Sequence, residues 1–214
     1  MKNFLISQYR LVRPVERASD SITIITRLFP IKIQELVEKE ETMVATLRVQ
    51  LGWIDRSLAW DVDRFNGQEN VVLPYDVQVW LPELQIVNSA VDIYGIFSMR
   101  DRRSPVKIHS NGEVWWHPTG RVDVRCELQL MYFPFDFQRC GITLEPVIYT
   151  ESQLNLTLRP GRNPVSLSMY SENGLWDLVK TGGRQEVYWV TKNTGFSRVE
   201  FIFFLQRRTT YYEM

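Results

Sequence analysis

The sequence CELQLMYFPFDFQRC, residues 126–140, holds the only two cysteines among the 214 residues of this chain. Apolar residues alternate with polar ones on both sides of its centre, as they do in half-buried β-strands. The alternating positions are Val122, Val124, Cys126, Leu128 and Leu130 upstream, and Cys140, Ile142 and Leu144 downstream. Between them lies the aromatic turn Phe133-Pro134-Phe135-Asp136. The stretch therefore predicts a hairpin of two β-strands joined by an aromatic loop.

The two cysteines allow two interpretations. A disulfide between Cys126 and Cys140 would enclose thirteen residues, and in the chain-entropy model a link of this size stabilises a fold by about 3 kcal/mol. Alternatively, both cysteines remain unpaired in the core. A disulfide would fit an oxidising compartment, although two cysteines alone do not establish one.

The composition indicates an ordinary globular protein that is rich in aromatic rings. Hydrophobic residues make up 44% and charged residues 23% of the chain, and 25 basic residues balance 25 acidic ones. No block of basic residues marks a nucleic-acid surface, so we expect no nucleic-acid partner. The 7 Trp, 9 Tyr and 11 Phe suit a β-rich core or a binding surface built from rings.

No apolar run approaches the roughly 18 residues that a membrane-spanning helix needs. The longest, residues 201–205, has the length of a strand. The first seven residues are too short for the apolar region of a signal peptide. The chain is then either intracellular or processed from a longer protein, and the disulfide interpretation favours the second.

Strand signals follow one another along most of the chain. Residues 43–53 alternate without a break, and Asn111-Gly112 is a strong hairpin turn. Further strands are predicted over residues 22–36, 77–80, 84–87, 106–108, 114–116, 154–158, 186–191 and 199–205. A short helix is predicted before Pro14. Many short strands separated by turns indicate an antiparallel sandwich or barrel.

Further motifs stand in order around the cysteine pair. They are Trp53-x-Asp55-x-x-Leu58-x-Trp60-Asp61, then Trp80-Leu-Pro82-Glu83 with Asn88, and finally Gln206-Arg207-Arg208 with Tyr211-Tyr212. Together with Cys-x13-Cys around Phe-Pro-Phe-Asp, they resemble the extracellular domain of the Cys-loop (pentameric ligand-gated ion channel) receptors and of their soluble relatives, the acetylcholine-binding proteins. Two departures stand out: Glu83 replaces the usual Asp, and Thr209-Thr210 replace the usual proline.

The resemblance implies an all-β fold: a ten-stranded antiparallel, immunoglobulin-like β-sandwich with a short N-terminal α-helix. Residues 1–214 would form a single extracellular ligand-binding domain. Its parts would be a helical region at 1–14, a sandwich at 21–208 and a lead-in to an absent transmembrane helix at 207–214. Members of the family assemble as pentamers, and a small-molecule ligand binds between subunits under a hairpin called loop C.

The family's site is a cage of aromatic rings around a ligand ammonium, and its positions can be transferred one by one. On the principal face they correspond to Val87, Val147, Tyr149, Tyr188, Trp189 and Phe196. On the complementary face they correspond to Arg48, Lys107, Trp115 and His117.

These residues indicate that most of the aromatic cage for a cation is missing. Val87 and Val147 stand where the family has rings, and Arg48 with Lys107 would oppose a quaternary amine. One hypothesis is an altered pocket for an anionic, zwitterionic or larger amphipathic ligand, favoured because Tyr188 and its neighbours keep their rings. The other is a non-binding subunit that assembles with a conventional one.

A second set of residues corresponds to the positions that couple ligand binding to the pore. The set is Glu38, Phe133, Pro134, Phe135, Asp136 and Arg207. The resemblance implies that Glu38 and Arg207 form a coupling ion pair. The plainer interpretation is two solvated surface charges, worth roughly 0–1 kcal/mol. Separately, Asn155-Leu-Thr is a glycosylation sequon. A metal site at His109, Glu113 and His117 is conceivable, but we expect no metal and no cofactor.

We therefore predict a neurotransmitter-type ligand-binding domain on the extracellular face of the plasma membrane, in a homo- or hetero-pentamer whose channel domain is absent. The alternative is a secreted pentamer without a channel. The sequence contains none of the usual hydrolase, metalloprotease or phosphate-binding motifs, so an enzyme is not expected. A β-sandwich glycosidase or lectin is the contrasting class.

Overall fold

The fold is a sandwich of two β-sheets, seen in a computed structural model that describes residues 12–74, 79–97 and 104–209. Its strands are β1 (Ile22–Val37), β2 (Thr42–Ile54), β3 (Asn70–Leu73), β4 (Leu84–Ile86), β5 (Val106–His109), β6 (Glu113–Trp116), β7 (Thr119–Arg125), β8 (Phe137–Pro146), β9 (Leu154–Leu158), β10 (Trp176–Thr191) and β11 (Thr194–Arg207). Single 3-10 turns lie at Glu38–Glu40, Arg56–Leu58, Val62–Phe65, Gly95–Phe97 and Leu167–Met169. The predicted all-β sandwich is confirmed.

The two sheets have the strand orders β3-β5-β6-β2-β1-β9, with β7 also on β2, and β10-β11-β8-β4. Among these strands every pair is antiparallel except β1 with β9, which is parallel. On β2, the predicted inward set from Met43 to Trp53 is buried at every second position. Trp53 packs edge-to-face on Trp80, with ring centroids 5.7 Å apart. The alternation of β2 therefore predicted its core face correctly.

Strands β6 and β7 are one strand interrupted at Pro118. The pairs Leu51 with Trp116 and Arg48 with Thr119 belong to one continuous register along β2. Proline has no N–H to give to the ladder, although the Pro118 carbonyl still accepts from the Val49 N–H at 2.9 Å. The described residues contain eleven strand segments. If β6 and β7 are counted as one interrupted strand, the number is ten, as the resemblance implied.

The stretch from residue 126 to 140 differs from its prediction in two ways. The upstream strand ends at Arg125 rather than Leu130, because the Gln138 side chain bonds both the N–H and the carbonyl of Gln129 and holds a loop there. In addition, β7 lies in the first sheet and β8 in the second, so the predicted hairpin is wrong. The disulfide between Cys126 and Cys140 is formed and links the two sheets.

Several predicted segments fall outside the described residues. The helix predicted before Pro14 falls mainly on residues 1–11, and Tyr211 with Tyr212 follow the last described residue. Of the strand predicted at 77–80, residues 77 and 78 fall outside as well, whereas residues 79 and 80 are described and do not lie in a strand. Strand β11 itself continues to Arg207. Within 12–74, 79–97 and 104–209, no helix has both the length and the apolar character needed to cross a bilayer.

Candidate functional site

The β10–β11 hairpin carries the aromatic residues expected on the principal face. Tyr188 pairs with Phe196 across the two strands, and Gly195 opposite Trp189 leaves the space in which that ring lies. Tyr188 is 47% exposed and Trp189 is 56% exposed, although large rings are more often buried. The hairpin therefore offers uncovered aromatic surface near its tip.

Beneath the ring of Tyr188 lies a cation that belongs to the chain. The guanidinium carbon of Arg198 is 3.7 Å from the centroid of that ring. Arg198 also forms an ion pair with the buried Glu145, which accepts a second hydrogen bond from Gln85 Nε2 at 3.2 Å. Because stacking on a guanidinium uses the negative face of the ring, one face of Tyr188 is already occupied.

Sequence reasoning missed Arg198 and Glu145. A signal for Arg198 existed, since it lies two residues after Phe196 on the same strand and alternation places both on one face. Glu145 had no such signal: its ion pair with Arg198 joins β8 to β11 across 53 positions of sequence.

The remaining principal-face positions are spread along the edge of the second sheet. The N–H of Val87 bonds to the carbonyl of Thr143, and the N–H of Val147 bonds to the carbonyl of Glu83. The two valines thus flank opposite ends of the β4–β8 ladder, roughly 13 Å apart along the strands. Tyr149 is half-buried, with the guanidinium carbon of Arg13 at 5.8 Å from its ring centroid.

The four complementary-face positions are brought together on the outer face of the first sheet. Lys107 pairs with Trp115 across β5 and β6. In the next rows Gln50 hydrogen-bonds to His117 at 3.1 Å, and Arg48 pairs with Thr119 and donates to its Oγ1 at 3.0 Å. Side chains from β2, β5, β6 and β7 therefore form one continuous surface.

Trp115 lies flat on this surface because its cross-strand partner is a glycine. A Cβ at Gly52 would overlap the indole ring, so any larger residue there would displace Trp115. The guanidinium carbon of Arg159 lies over the same indole, 5.2 Å from a ring centroid. Trp115 therefore has both the backbone of β2 and a cation as neighbours.

A relay of hydrogen bonds fixes the protonation of His117. Arg159 Nη1 donates to Gln50 Oε1 at 3.1 Å, so Gln50 Nε2 faces His117 Nε2 and donates to it. That nitrogen must then be unprotonated. Burial, followed by the nearby charges of Arg48 and Lys107, lowers the pKa of His117. The imidazole is therefore a neutral member of a strongly basic surface.

We expect His117 to titrate below the ordinary histidine pKa of about 6.5, and Arg48→Gln to raise that pKa towards the ordinary value. Between the ordinary pKa and the lower pKa of the folded state, the unfolded chain binds more protons than the folded chain. The free energy of unfolding therefore decreases as the pH falls through that range. An NMR titration of the imidazole signals in the His109→Gln variant, in which His117 is the remaining histidine, measures the pKa. A pKa at or above 6.5 would contradict this assignment.

At one end of the sandwich, Arg207 lies in a buried ionic cluster. Its side chain is 4% exposed and that of Asp136 is 1% exposed. Arg207 Nε donates to Asp136 Oδ1 at 2.7 Å, and Nη2 donates to Glu38 Oε1 at 2.6 Å. The guanidinium carbon also lies 4.3 Å from a ring centroid of Trp176 and 4.9 Å from that of Phe133. Arg207 is therefore not the solvated surface charge of the plainer interpretation.

The carboxylate of Asp136 is the main partner of Arg207, whereas the resemblance placed both residues in one set but paired Arg207 with Glu38. Burial opposes ionisation of Asp136, but hydrogen bonds from Arg207 and from Gln138 Nε2 outweigh that effect and lower the pKa of the carboxyl group. Around this buried pair the loop exposes apolar side chains. They are Leu130, Met131, Tyr132, Phe133, Phe135 and Phe137.

The sequence also raised a glycosylation site at Asn155 and a metal site. Asn155 Oδ1 accepts a hydrogen bond from Ser197 Oγ at 2.9 Å, which ties β9 to β11, and glycosylation of Asn155 stays a prediction. Across 12–74, 79–97 and 104–209, no three His, Cys, Asp or Glu side chains lie close enough together to hold a metal ion.

Comparison with known proteins gives consistent matches. The family described as "neurotransmitter-gated ion-channel ligand binding domain" matches residues 1–209. The chain is 26% identical to acetylcholine receptor subunit delta of Xenopus laevis, covering 94% of this chain and 40% of that protein. It is 28% identical to acetylcholine receptor subunit beta-like 1 of Drosophila melanogaster, with 95% and 38% covered. It is 26% identical to neuronal acetylcholine receptor subunit beta-4 of Bos taurus, with 94% and 39% covered. The chain thus spans about two fifths of the length of these relatives.

Proposed function

Because this chain belongs to the family of neurotransmitter-gated ion-channel ligand-binding domains, we propose that it binds a small-molecule ligand between the subunits of a pentameric receptor. One observation carries the proposal. The exposed rings of Tyr188 and Trp189 lie on the second sheet, whereas Arg48 and Trp115 lie on the outer face of the first. In a ring of identical or related subunits, the first set of one subunit would face the second set of its neighbour.

On this proposal, the ligand is not a quaternary amine. Arg198 already occupies one face of Tyr188, and Arg48 with Lys107 brings positive charge to the opposite wall. Val87 and Val147 add apolar surface in place of rings. A cation would therefore meet repulsion where the family's cage would give attraction.

The cluster of Arg207, Asp136 and Glu38 is the proposed link between the domain and a pore. It connects the end of β11, the loop within the disulfide and the turn between β1 and β2. The exposed apolar residues of that loop, with Met131 at 83% exposure, would be buried against a further segment of a channel. This surface favours the channel subunit over the secreted alternative. The domain would then lie on the extracellular side, where its disulfide persists.

Cysteine cross-linking tests the proposed assembly. We expect the double variant Trp189→Cys/Lys107→Cys, once oxidised, to form a ladder of covalent species up to five chains, because the hairpin of one subunit would reach β5 of the next. Electrophoresis without reductant measures the ladder. The control is Trp189→Cys/Arg64→Cys, in which the second cysteine replaces an exposed residue of the Val62–Phe65 turn.

Equal ladders in both variants would indicate random collision and contradict the proposed interface. The same conclusion would follow if a pentamer seen by native mass spectrometry gave no ladder with the first variant.

A further inference from the structure

We propose that Asn66-Gly67, in the loop between β2 and β3, is a site of spontaneous deamidation, at which water converts the side-chain amide into an aspartate or isoaspartate carboxylate. Asparagine followed by glycine is especially reactive in this way, because glycine has no Cβ to hinder attack by its own backbone nitrogen. The chain contains three such pairs, which begin at Asn66, Asn111 and Asn173. Their surroundings in the fold single out the first pair, independently of the proposed ligand site.

The reaction needs a backbone nitrogen that can turn towards the asparagine side chain, and access to water. The Gly67 nitrogen loses its proton to a base in the solvent and bonds to Cγ of Asn66. The Cγ–Nδ2 bond breaks, and Nδ2 takes up a proton and leaves as ammonia. The cyclic imide then adds one water molecule and opens at either of its carbonyl carbons. Opening gives aspartate or isoaspartate, and nothing is oxidised or reduced.

The fold leaves the reacting groups of Asn66 and Gly67 accessible. Both residues are exposed, and the Asn66 side chain forms no hydrogen bond with the described parts of the chain. A Cβ placed on Gly67 would meet no atom within 4 Å. The Gly67 N–H donates to the carbonyl of Val62 at 2.9 Å, at the end of the 3-10 turn Val62–Phe65. That bond must open first, and short exposed 3-10 turns open readily.

Asn111 is exposed as well, but the β5–β6 hairpin holds it in place. Its Oδ1 accepts from the Glu113 N–H at 2.9 Å, and the Gly112 N–H donates to the carbonyl of His109 at 2.9 Å. Gly112 is buried, and a Cβ there would lie 2.6 Å from the carbonyl oxygen of Asp55. Two hydrogen bonds and close packing therefore oppose the movement of the Gly112 nitrogen towards Cγ.

Asn173 is protected by burial and by hydrogen bonds at both ends of its amide. The side chain lies in a residue that is 6% exposed. Its Nδ2 donates to the carbonyls of Ile33 and Gln34 at 2.6 and 3.0 Å. Its Oδ1 accepts from the N–H groups of Leu175 and Trp176 at 2.6 and 3.1 Å. An imide at this position would lose these bonds in a place that water hardly reaches.

Deamidation would add a negative charge to a loop that is already acidic. Within residues 61–70, Asp61, Asp63 and Glu69 are balanced by Arg64 alone. An isoaspartate also inserts an additional atom into the backbone at Asn66, where the 3-10 turn ends. The product therefore differs from the starting chain both in charge and in backbone linkage.

Incubation of the folded chain in mildly alkaline buffer, followed by peptide mapping with mass spectrometry, tests the inference. The mass gain of replacing NH2 with OH should appear at Asn66 about fivefold faster than at Asn111, or more, since Asn111 must break one further hydrogen bond. Asn173 should stay unmodified. In the chain unfolded by urea, the three sites should react at similar rates. Methylation by an isoaspartyl methyltransferase identifies the isoaspartate product.

Matched variants connect the charge change to the site. Isoelectric focusing of the incubated chain should show a new acidic band that Asn66→Gln abolishes, because the longer side chain closes a less favourable ring, and that Asn111→Gln retains. Equal rates at Asn66 and Asn111 in the folded chain would overturn the inference, as would an acidic band that persists in Asn66→Gln. The same order of rates in urea would contradict the protection assigned to the fold. The peptide map of the unaltered sequence decides the matter even if a variant does not fold.

Discussion

Replacing Arg207 with methionine is expected to lower the free energy of unfolding by about 3–5 kcal/mol, because a buried charge would lose its partner. Asp136 is almost inaccessible to water, and Arg207 supplies two of its hydrogen bonds, from Nε at 2.7 Å and from Nη2 at 3.1 Å. Urea denaturation followed by tryptophan fluorescence measures the change. The methionine side chain keeps much of the packing against Trp176, so the loss reports mainly on the charge.

Two further variants separate this explanation from general damage. Arg207→Met/Asp136→Asn removes both charges and should recover a large part of the lost stability. Arg208→Gln is the control, since Arg208 is more exposed and its pairs with Asp177 and Glu172 lie at the surface, so it should change stability little. A double variant no more stable than Arg207→Met would show that the cost does not come from an unpaired Asp136.

The ion pair of Asp136 and Arg207 also determines how the free energy of unfolding changes with pH. Because the pKa of Asp136 is lowered in the fold, its contribution to stability is fully present above the ordinary Asp value of about 4. It is lost as the pH falls through the folded pKa. The variant without both charges should lack this part of the acid sensitivity.

A functional test of the cluster uses the channel subunit proposed above. If Glu38 and Arg207 act together in gating, the effects of Glu38→Gln and Arg207→Gln on the agonist response should be non-additive. Purely additive effects would remove the proposed coupling role and leave Arg207 as a stabilising residue.

Removing the disulfide with Cys126→Ala/Cys140→Ala is expected to lower the free energy of unfolding by about 2–5 kcal/mol. The link closes a loop and also joins the end of β7 in one sheet to β8 in the other. Without it, the unfolded chain gains conformational freedom, and the exposed apolar loop is held by the ion pair of Asp136 with Arg207 and by hydrogen bonds such as those of Gln138. Chemical denaturation of the oxidised wild type and of the variant measures the difference.

The reduced wild-type protein is the matched comparison, because it keeps both buried sulfur atoms and loses only the bond. If the reduced protein is as stable as the oxidised one while the alanine variant is not, the cost comes from lost packing rather than from the lost link. Similar losses in both would support the link itself.

Much of the fold could be predicted because it depends on local patterns. The alternation from Met43 to Trp53 predicted which side of β2 is buried, and Asn111-Gly112 predicted the β5–β6 hairpin. Alternation reports the face of a strand but not its partner. That is why β7 and β8, adjacent in sequence and similar in pattern, were predicted to pair although they belong to different sheets.

In the candidate site, too, some features could be predicted from the sequence and others could not. Resemblance of motifs predicted that Arg48, Lys107, Trp115 and His117 share one wall, and the structure places them together on the first sheet. The charge partners could not be predicted from spacing. Arg198 pairs with Glu145 across 53 positions and Arg207 pairs with Asp136 across 71. Asp136 was singled out by its motif, but nothing local distinguishes Glu145 from the other 24 acids in the chain.

The sequence by itself determined the strands, their buried faces and the family, because each depends on residues near one another or on an ordered set of motifs. Only the tertiary structure decided which charges are satisfied. A long-range contact forms when packing brings two distant strands together, and burial then makes an unpaired charge costly. For that reason Arg207 is a buried ion-pair partner, and Arg198 covers one face of the Tyr188 ring.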